Sequence, residues 1–364
     1  MGDKNKISNE QIKALIVTIV AGVGVLSLPS DMAVRMNNDG WLGILIGGLI
    51  TIPFIILIDK LFKLYPNKNL FEIGRDTMPN ILFKLFMTIF LIYNIVLLSY
   101  VIRIFADTIK TYLLETTPTE VIVFSILLAT SYIARSQLEV IARMAVMIYP
   151  IIIGFIIFLI IISIPSADFS NILPIFRVDY KAIIRGVLMS IFAYSGYEFI
   201  LLVLPLAENP DKTLRYSLNG MFIIIGIYLL SFFISLSQYG IHQLKRQIWP
   251  TIALVKEVDL PGYFLQNLDG IVMALWVMVV YGTIGPALHF SGVILSDILN
   301  TKNHELYILP LIPVIYIISL LPKSLVETDE TLGILLRPLS IIAIMIIPTI
   351  LYILAKVKKK GEES

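Results

Sequence analysis

The sequence predicts an all-α polytopic membrane protein whose ten transmembrane helices form two inverted five-helix repeats, with helices 1 and 6 broken. Three observations carry this prediction. Of the 364 residues, 57% are hydrophobic and only 15% are charged, whereas soluble domains average roughly 45–50% apolar and about 25% charged residues. Long apolar runs recur along the chain, and Gly- and Pro-containing interruptions fall at matching places in its two halves.

The apolar runs are long enough for helices that cross about 30 Å of hydrocarbon at 1.5 Å per residue. They are too continuous for the strands of an outer-membrane barrel, which alternate over about 10 residues. Because the connections are short, residues 1–364 are predicted to form a single transmembrane domain, with repeat one at about 11–164 and repeat two at about 181–355. The predicted spans are roughly 11–35, 40–64, 81–113, 118–134, 138–164, 181–206, 213–239, 264–296, 305–321 and 331–355.

Lysine and arginine residues predict the orientation of these spans. The segments on the side of the two termini contain 17 of them, against 9 in the segments on the opposite side. Because cytoplasmic loops are enriched in these residues, both termini are expected to be cytoplasmic, as an even number of spans requires. The N-terminal stretch MGDKNKISNEQIK lacks a small-residue cleavage site, so the first apolar run is expected to remain as a span.

Several functions are disfavoured by composition. The formal charge of +2 is too small to indicate nucleic-acid binding, and the absence of cysteine together with three widely separated histidines predicts no metal site. The chain has no Walker motif, and Gly22-x-Gly24 lacks the strand and acidic residue of a dinucleotide site. We therefore expect no catalytic residues, no cofactor and no enzymatic activity.

Two of the predicted helices are interrupted. Span one contains GVGVLSLP at 22–29, in which two glycines weaken the helix and Pro29 removes a backbone donor. Span six contains FAYSGYE at 192–198, followed by Pro205. Freed backbone groups are costly in hydrocarbon, so such breaks are expected where a helix is buried in protein or lines a cavity. Interrupted segments at matching positions in two halves indicate a substrate site.

The breaks also predict the chemistry of a ligand. Half-helix N-termini offer N–H groups to a carboxylate, and exposed carbonyl groups suit an ammonium group or a cation, so a zwitterion such as an amino acid fits both. The alternative is that the glycines serve only close helix packing. The valines and tyrosines of the breaks favour a small or branched aliphatic side chain. The predicted ligand-binding residues here are Gly22, Val23, Gly24, Val25, Leu26, Ala193, Tyr194, Ser195, Gly196, Tyr197 and Glu198.

Further candidates lie outside or beside the breaks. Tyr93 and Tyr100 in span three are seven residues apart and share a helix face, and Tyr281 and Thr283 add hydroxyl groups from span eight. Packing alone remains an alternative for these residues. Glu198 is a carboxylate at membrane depth, which marks a functional position. Three roles stay open for it: support of the broken helix, uptake of a proton, or contact with the ligand.

The two interrupted motifs resemble the first-helix and sixth-helix motifs of the amino acid–polyamine–organocation permeases. The segment Ala207–Pro210, followed by basic residues, is similar to the stretch after the sixth helix of that family. Within the superfamily, the chain length, the ten predicted spans and the outer stretch NILPIF at 171–176 resemble the B subunits of GerA-type spore germinant receptors. The resemblance covers nearly the whole chain.

This resemblance implies a subunit that senses a small nutrient, expected to be an amino acid, in a permease-like pocket. It implies an integral protein of the spore inner membrane or bacterial cell membrane, with the lipid bilayer as its surroundings. The implied partners are the membrane A subunit and the lipoprotein C subunit of the receptor. Two alternatives stay open: a secondary amino-acid transporter coupled to protons or ions, and a membrane scaffold subunit that binds no ligand.

Overall fold

The computed structural model describes residues 6–22, 24–257 and 268–362. Within them the chain is built from helices and short connections, and the one pairing of extended backbone is a parallel bridge between Ile7 and Ala207. The α-helices in chain order are α1 (Asn9–Ala21), α2 (Gly24–Met36), α3 (Gly40–Leu64), α4 (Leu70–Thr77), α5 (Asn80–Tyr112), α6 (Thr119–Ala134), α7 (Leu138–Ser163), α8 (Tyr180–Ala193), α9 (Ile200–Val203), α10 (Thr213–Leu244), α11 (Pro250–Glu257), α12 (Leu268–Ile298), α13 (Glu305–Leu320), α14 (Leu325–Thr328), α15 (Ile334–Ile341) and α16 (Ile347–Glu362).

Several of these helices have the length and composition of membrane spans. Six continuous segments of the described residues qualify, and a seventh is added if α8 and the segment Tyr197–Leu206, which are bent by 46°, form one span. Helices α6 and α13 are apolar but have only 16 residues each. The chain is therefore an integral membrane protein, as predicted, while the count of ten spans stays a prediction.

Both predicted breaks are present. Between α1 and α2, Gly22 leaves the helical region with φ 8° and ψ −123°. After α8, Gly196 has φ +117°, a left-handed conformation that glycine adopts without strain. A Cβ atom at Gly196 would lie 2.8 Å from Cγ2 of Ile19 on α1. The two breaks therefore meet at a point where a glycine is required both by the backbone angle and by the space available.

The chain before α1 is fastened to the chain after the second break. The Ile7 N–H donates to the Leu206 carbonyl, and the Glu208 N–H donates to the Ile7 carbonyl, both at 2.9 Å. The Asn9 amide adds a bond to the Asn209 carbonyl at 3.1 Å. These contacts tie the ends of the two broken spans together on the side of the termini.

On the opposite side, the turn between α2 and α3 holds the connection between α7 and α8. The Asn38 amide reaches the carbonyl groups of residues 171–173 at 2.8–3.2 Å. The Asp39 carboxylate, only 2% exposed, accepts the backbone N–H groups of Phe176, Arg177 and Val178 at 2.6–2.9 Å. These two buried side chains thus fix the second part of the connection, while the Ser237 carbonyl of α10 fixes its first part by accepting the Asp168 N–H and the Asn171 amide, both at 3.0 Å.

Replacing Asp39 by alanine is expected to lower the free energy of unfolding by about 2–4 kcal/mol, because three backbone N–H groups lose a charged acceptor. Thermal unfolding of the purified protein in detergent measures this change. The matched control is Asp179→Ala, since Asp179 is an exposed carboxylate at the start of α8 that makes no capping hydrogen bond. Equal shifts for the two variants would contradict the anchoring role of Asp39.

Candidate ligand site between the broken helices

A small cavity of about 60 Å³ lies where the two breaks face each other. Gly22 and Gly24 line it from the first break, and Ser195 and Gly196 line it from the second. The rest of its wall is largely apolar. The Ser195 hydroxyl oxygen is buried and forms no hydrogen bond within the described residues. The other lining residues are Ile19, Val20, Leu97, Leu98, Tyr100, Val101, Phe192, Ala193, Phe199, Thr283 and Ala287.

A larger cavity of about 410 Å³ adjoins this deep cavity, and we call it the vestibule. Both cavities are lined by Gly24, Tyr100, Phe192 and Ala193. The rings of Tyr100 and Phe192 contact edge to face, with centroids 5.8 Å apart. This aromatic pair therefore stands at the passage from the vestibule to the deep cavity.

The vestibule is more polar than the deep cavity. Asp31 and Arg35 of α2 line it and pair at 3.4 Å. Asp329, which lines it from the other wall, pairs with Arg337 at 2.9 Å. Since each pair lies within a single span, neither pair closes the vestibule by bridging its walls.

Side chains from neighbouring helices satisfy the carbonyl groups that the breaks free. The Tyr228 hydroxyl of α10 lies 2.8 Å from the Val20 carbonyl oxygen and 3.0 Å from that of Ala193, so it bridges the two breaks. The Thr283 hydroxyl of α12 donates to the Thr18 carbonyl at 3.1 Å. In α2, the Val25 carbonyl accepts hydroxyl groups from Ser231 and Thr251, at 3.2 and 2.8 Å.

Glu198 is fully buried beside the second break. Its Oε1 accepts the Tyr93 hydroxyl at 2.7 Å, and its Oε2 accepts the backbone N–H of Gly196 at 2.7 Å. The carboxylate thereby connects α5 to the turn that follows α8. Of the three roles that the sequence left open for it, this geometry favours support of the broken helix.

Tyr194 and Tyr197 flank the second break and point away from the deep cavity. The Tyr194 hydroxyl donates to the Ile44 carbonyl of α3 at 2.8 Å. The Tyr197 hydroxyl donates to the Ile344 carbonyl at 3.1 Å, within a π-helical segment between α15 and α16. Such segments are rare and often occur at functional positions. These tyrosines therefore join the break to the surrounding helices.

The structure thus divides the predicted ligand-binding residues into three groups. Seven of them line the deep cavity: Gly22, Gly24, Tyr100, Ala193, Ser195, Gly196 and Thr283. Seven others do not line it: Val25, Leu26, Tyr93, Tyr194, Tyr197, Glu198 and Tyr281. Val23 lies outside the described residues. Ligand contact by any of these residues stays a prediction.

Sequence reasoning missed two kinds of residue. Leu97 and Val101 line the deep cavity from α5, and their spacing from Tyr93 places them on the face already identified, so extending that face would have found them. Tyr228 carries no local signal, because one tyrosine in a long apolar helix does not indicate which distant carbonyl group it meets.

Solved structures with the same fold define the class of protein. The chain matches a Na⁺-coupled sialic acid symporter, in a substrate-bound outward-open state, with a TM-score of 0.66 over 92% of this chain and 78% of that chain, at 11% identity. It matches MhsT in complex with L-phenylalanine with a TM-score of 0.70 over 97% and 89% of the two chains, at 12% identity. At these identities the likeness shows the fold alone. It confirms a permease-type membrane fold of inverted repeats with broken helices 1 and 6.

Sequence relatives define the family within that class. A family model described as "Spore germination protein" matches residues 6–328. The chain is 23% identical to spore germination protein YndE of Bacillus subtilis (strain 168) over 99% of both chains. It is 24% identical to spore germination protein GerLB of Bacillus cereus over 99% of this chain and 96% of that one. The chain belongs to the spore germination protein family, as its motifs predicted.

Replacing Glu198 by alanine is expected to lower the free energy of unfolding by about 2–4 kcal/mol, because it leaves the Tyr93 hydroxyl and the Gly196 N–H buried without an acceptor. Glu198→Gln keeps a carbonyl acceptor and is expected to lose less than half as much. Thermal unfolding in detergent measures both changes, with the exposed Glu120→Ala as control. A glutamine variant as unstable as the alanine variant would show that the charge, and not the hydrogen bonds, supports the break.

Proposed function

We propose that this protein is the germinant-binding, B-type subunit of a spore germination receptor and that it senses a small amino acid in the deep cavity. The observation that carries the proposal is the apolar cavity enclosed between two broken helices, with the N-terminus of α2 at its wall. The protein would act by binding and not by catalysis, without a cofactor.

The cavity suits the two ends of such a ligand differently. Helix α2 has 13 residues and begins at Gly24, so its first N–H groups and positive dipole end offer a place for the ligand carboxylate. The apolar wall, which includes Leu97, Val101 and Ala287, suits a short aliphatic side chain. The small volume of about 60 Å³ supports a small ligand or one that enlarges the cavity as it enters.

Ligand binding would change the contact between the rings of Tyr100 and Phe192. Tyr100 belongs to α5 and Phe192 to α8, so their contact reports the position of the broken span relative to its neighbour. A ligand shifts such an equilibrium only through its different affinities for the two states. We propose that the ligand-bound state is passed on to the A and C subunits of the receptor. The protein would lie in the spore inner membrane or cell membrane with both termini in the cytoplasm.

Thermal stabilisation by a panel of amino acids, nucleosides and sugars tests the ligand class and its site. An aliphatic amino acid is expected to stabilise the purified protein. Ala193→Phe fills the passage between the cavities and is expected to weaken that ligand at least about tenfold, or 1.4 kcal/mol. The matched control is Gly226→Phe on α10, where an added Cβ atom meets no atom within 4 Å.

Two outcomes of this panel would contradict the proposal. Stabilisation by a nucleoside or sugar alone would exclude the amino acid. Equal ligand affinity in the Ala193 and Gly226 variants would place the site elsewhere.

A secondary transporter is the second candidate, favoured by the fold shared with a Na⁺-coupled symporter. Counterflow in liposomes loaded with the ligand found in the panel distinguishes the two functions. A receptor subunit is expected to bind the ligand and to show no uptake above that of ligand-loaded liposomes without protein. Uptake that Ala193→Phe abolishes, and Gly226→Phe preserves, would establish transport. Absence of both binding and uptake would favour the scaffold subunit.

A further inference from the structure

The connection between α7 and α8, together with the first residue of α8, exposes large apolar side chains on a backbone held by hydrogen bonds. Phe169, Leu173, Phe176 and Tyr180 are 63–72% exposed. The backbone that carries them is anchored by Asn38 and Asp39 and by the Ser237 carbonyl of α10. Phe176 also has φ +58°, a left-handed conformation that is uncommon and strained for a bulky residue. The Phe176 ring contacts that of Trp41 edge to face, with centroids 5.7 Å apart, and two thirds of the side chain stays exposed.

Three basic residues lie beside these apolar groups. Lys181 and Arg185 are exposed and lie one turn apart on the same side of α8, and Arg177 is exposed in the extended segment just before the helix. Within the described residues none of them pairs with an acidic side chain. Asp179 is the one carboxylate among them, so residues 176–188 carry a formal charge of +2.

The apolar surface continues down the same helix. Ile184 and Leu188 follow Tyr180 at intervals of four residues and are 43% and 55% exposed. The Arg185 side chain turns back toward the start of α8, where its Nε donates to the Lys181 carbonyl at 3.4 Å. A long cationic side chain that bends toward the helix end while its apolar neighbours face outward is the arrangement found at a membrane interface.

Charge distribution makes this cluster unusual. By the lysine and arginine count, the start of α8 lies on the side opposite the termini, where such residues are depleted. Three unpaired basic side chains on that side are not explained by topology. Their charge is complementary to a phosphate, and the stripe formed by Tyr180, Ile184 and Leu188 is complementary to acyl chains.

We propose that residues 176–188 form a binding face for an anionic phospholipid in the leaflet opposite the termini. The headgroup phosphate lies among Arg177, Lys181 and Arg185, with the acyl chains along the apolar stripe. Because Asn38 and Asp39 join the same connection to the end of α2, the bound lipid would stabilise the wall of the vestibule.

The test titrates phosphatidylglycerol into the full-length protein in neutral detergent and follows thermal stabilisation, with phosphatidylcholine as the neutral lipid. The face variant carries Arg177→Gln, Lys181→Gln and Arg185→Gln. The control variant carries Lys60→Gln, Lys212→Gln and Lys302→Gln, which remove three charges from exposed lysines elsewhere. At about fivefold in affinity per basic residue, the face variant is expected to bind phosphatidylglycerol on the order of a hundredfold more weakly, and the control variant as tightly as the unmodified protein.

Three results would overturn the proposal. One is no stabilisation of the unmodified protein by phosphatidylglycerol beyond that by phosphatidylcholine. Another is equal weakening in the face and control variants, which would mean that only overall charge matters. The third is stabilisation of the unmodified protein by soluble polyglutamate but not by phosphatidylglycerol, which would assign the face to an acidic protein partner.

Discussion

A backbone carbonyl or amide group at membrane depth must find a hydrogen-bond partner inside the protein, and the two broken helices free several such groups at the centre of the bundle. The structure meets this constraint with side chains from the unbroken neighbours. The Tyr228 hydroxyl lies within 3.0 Å of carbonyl oxygens from both breaks, so one residue of α10 holds α1 and α8 in register. Thr283 of α12 supplies a donor to the first broken span alone, at the Thr18 carbonyl. These donors satisfy carbonyl groups beside the deep cavity.

Glu198 supplies the acceptor that a freed backbone N–H group needs at the second break. In the left-handed turn at Gly196, the backbone N–H has no helical acceptor, and a carboxylate two residues later supplies one at 2.7 Å. Tyr93 occupies the other carboxylate oxygen. With both oxygens engaged, the carboxylate links the second break to α5, which favours the supporting role among the three that the sequence left open. Helix α5 also carries Tyr100, so one helix both contacts the second break through Tyr93 and contributes a ring to the aromatic pair at the passage.

The sequence predicted the breaks because glycine and proline act locally. Gly22 and Gly196 leave the helical region in the structure, where weakened helices were expected. The directions of the tyrosine side chains could not be predicted in the same way. Tyr93, Tyr194 and Tyr197 each give their hydroxyl to a group distant in sequence, and a local pattern does not specify distant partners. A local pattern also does not decide the number of spans, since α6 and α13 are apolar but short for a membrane crossing.

The pattern of satisfied groups has a consequence for how a ligand is recognised. The carbonyl oxygens of Thr18 and Val25 already accept hydroxyl groups, and those of Val20 and Ala193 share the single hydroxyl proton of Tyr228, so an ammonium group would share acceptors that are largely in use. The start of α2, by contrast, presents N–H groups that have no helical acceptor within their own helix. For the proposed amino-acid ligand, the carboxylate end would therefore gain more from binding than the ammonium end. A ligand shifts a conformational equilibrium only through the difference between its affinities for the two states. Any closure of the passage at Tyr100 and Phe192 would therefore depend mainly on contacts that form around the ligand's carboxylate and its short apolar side chain.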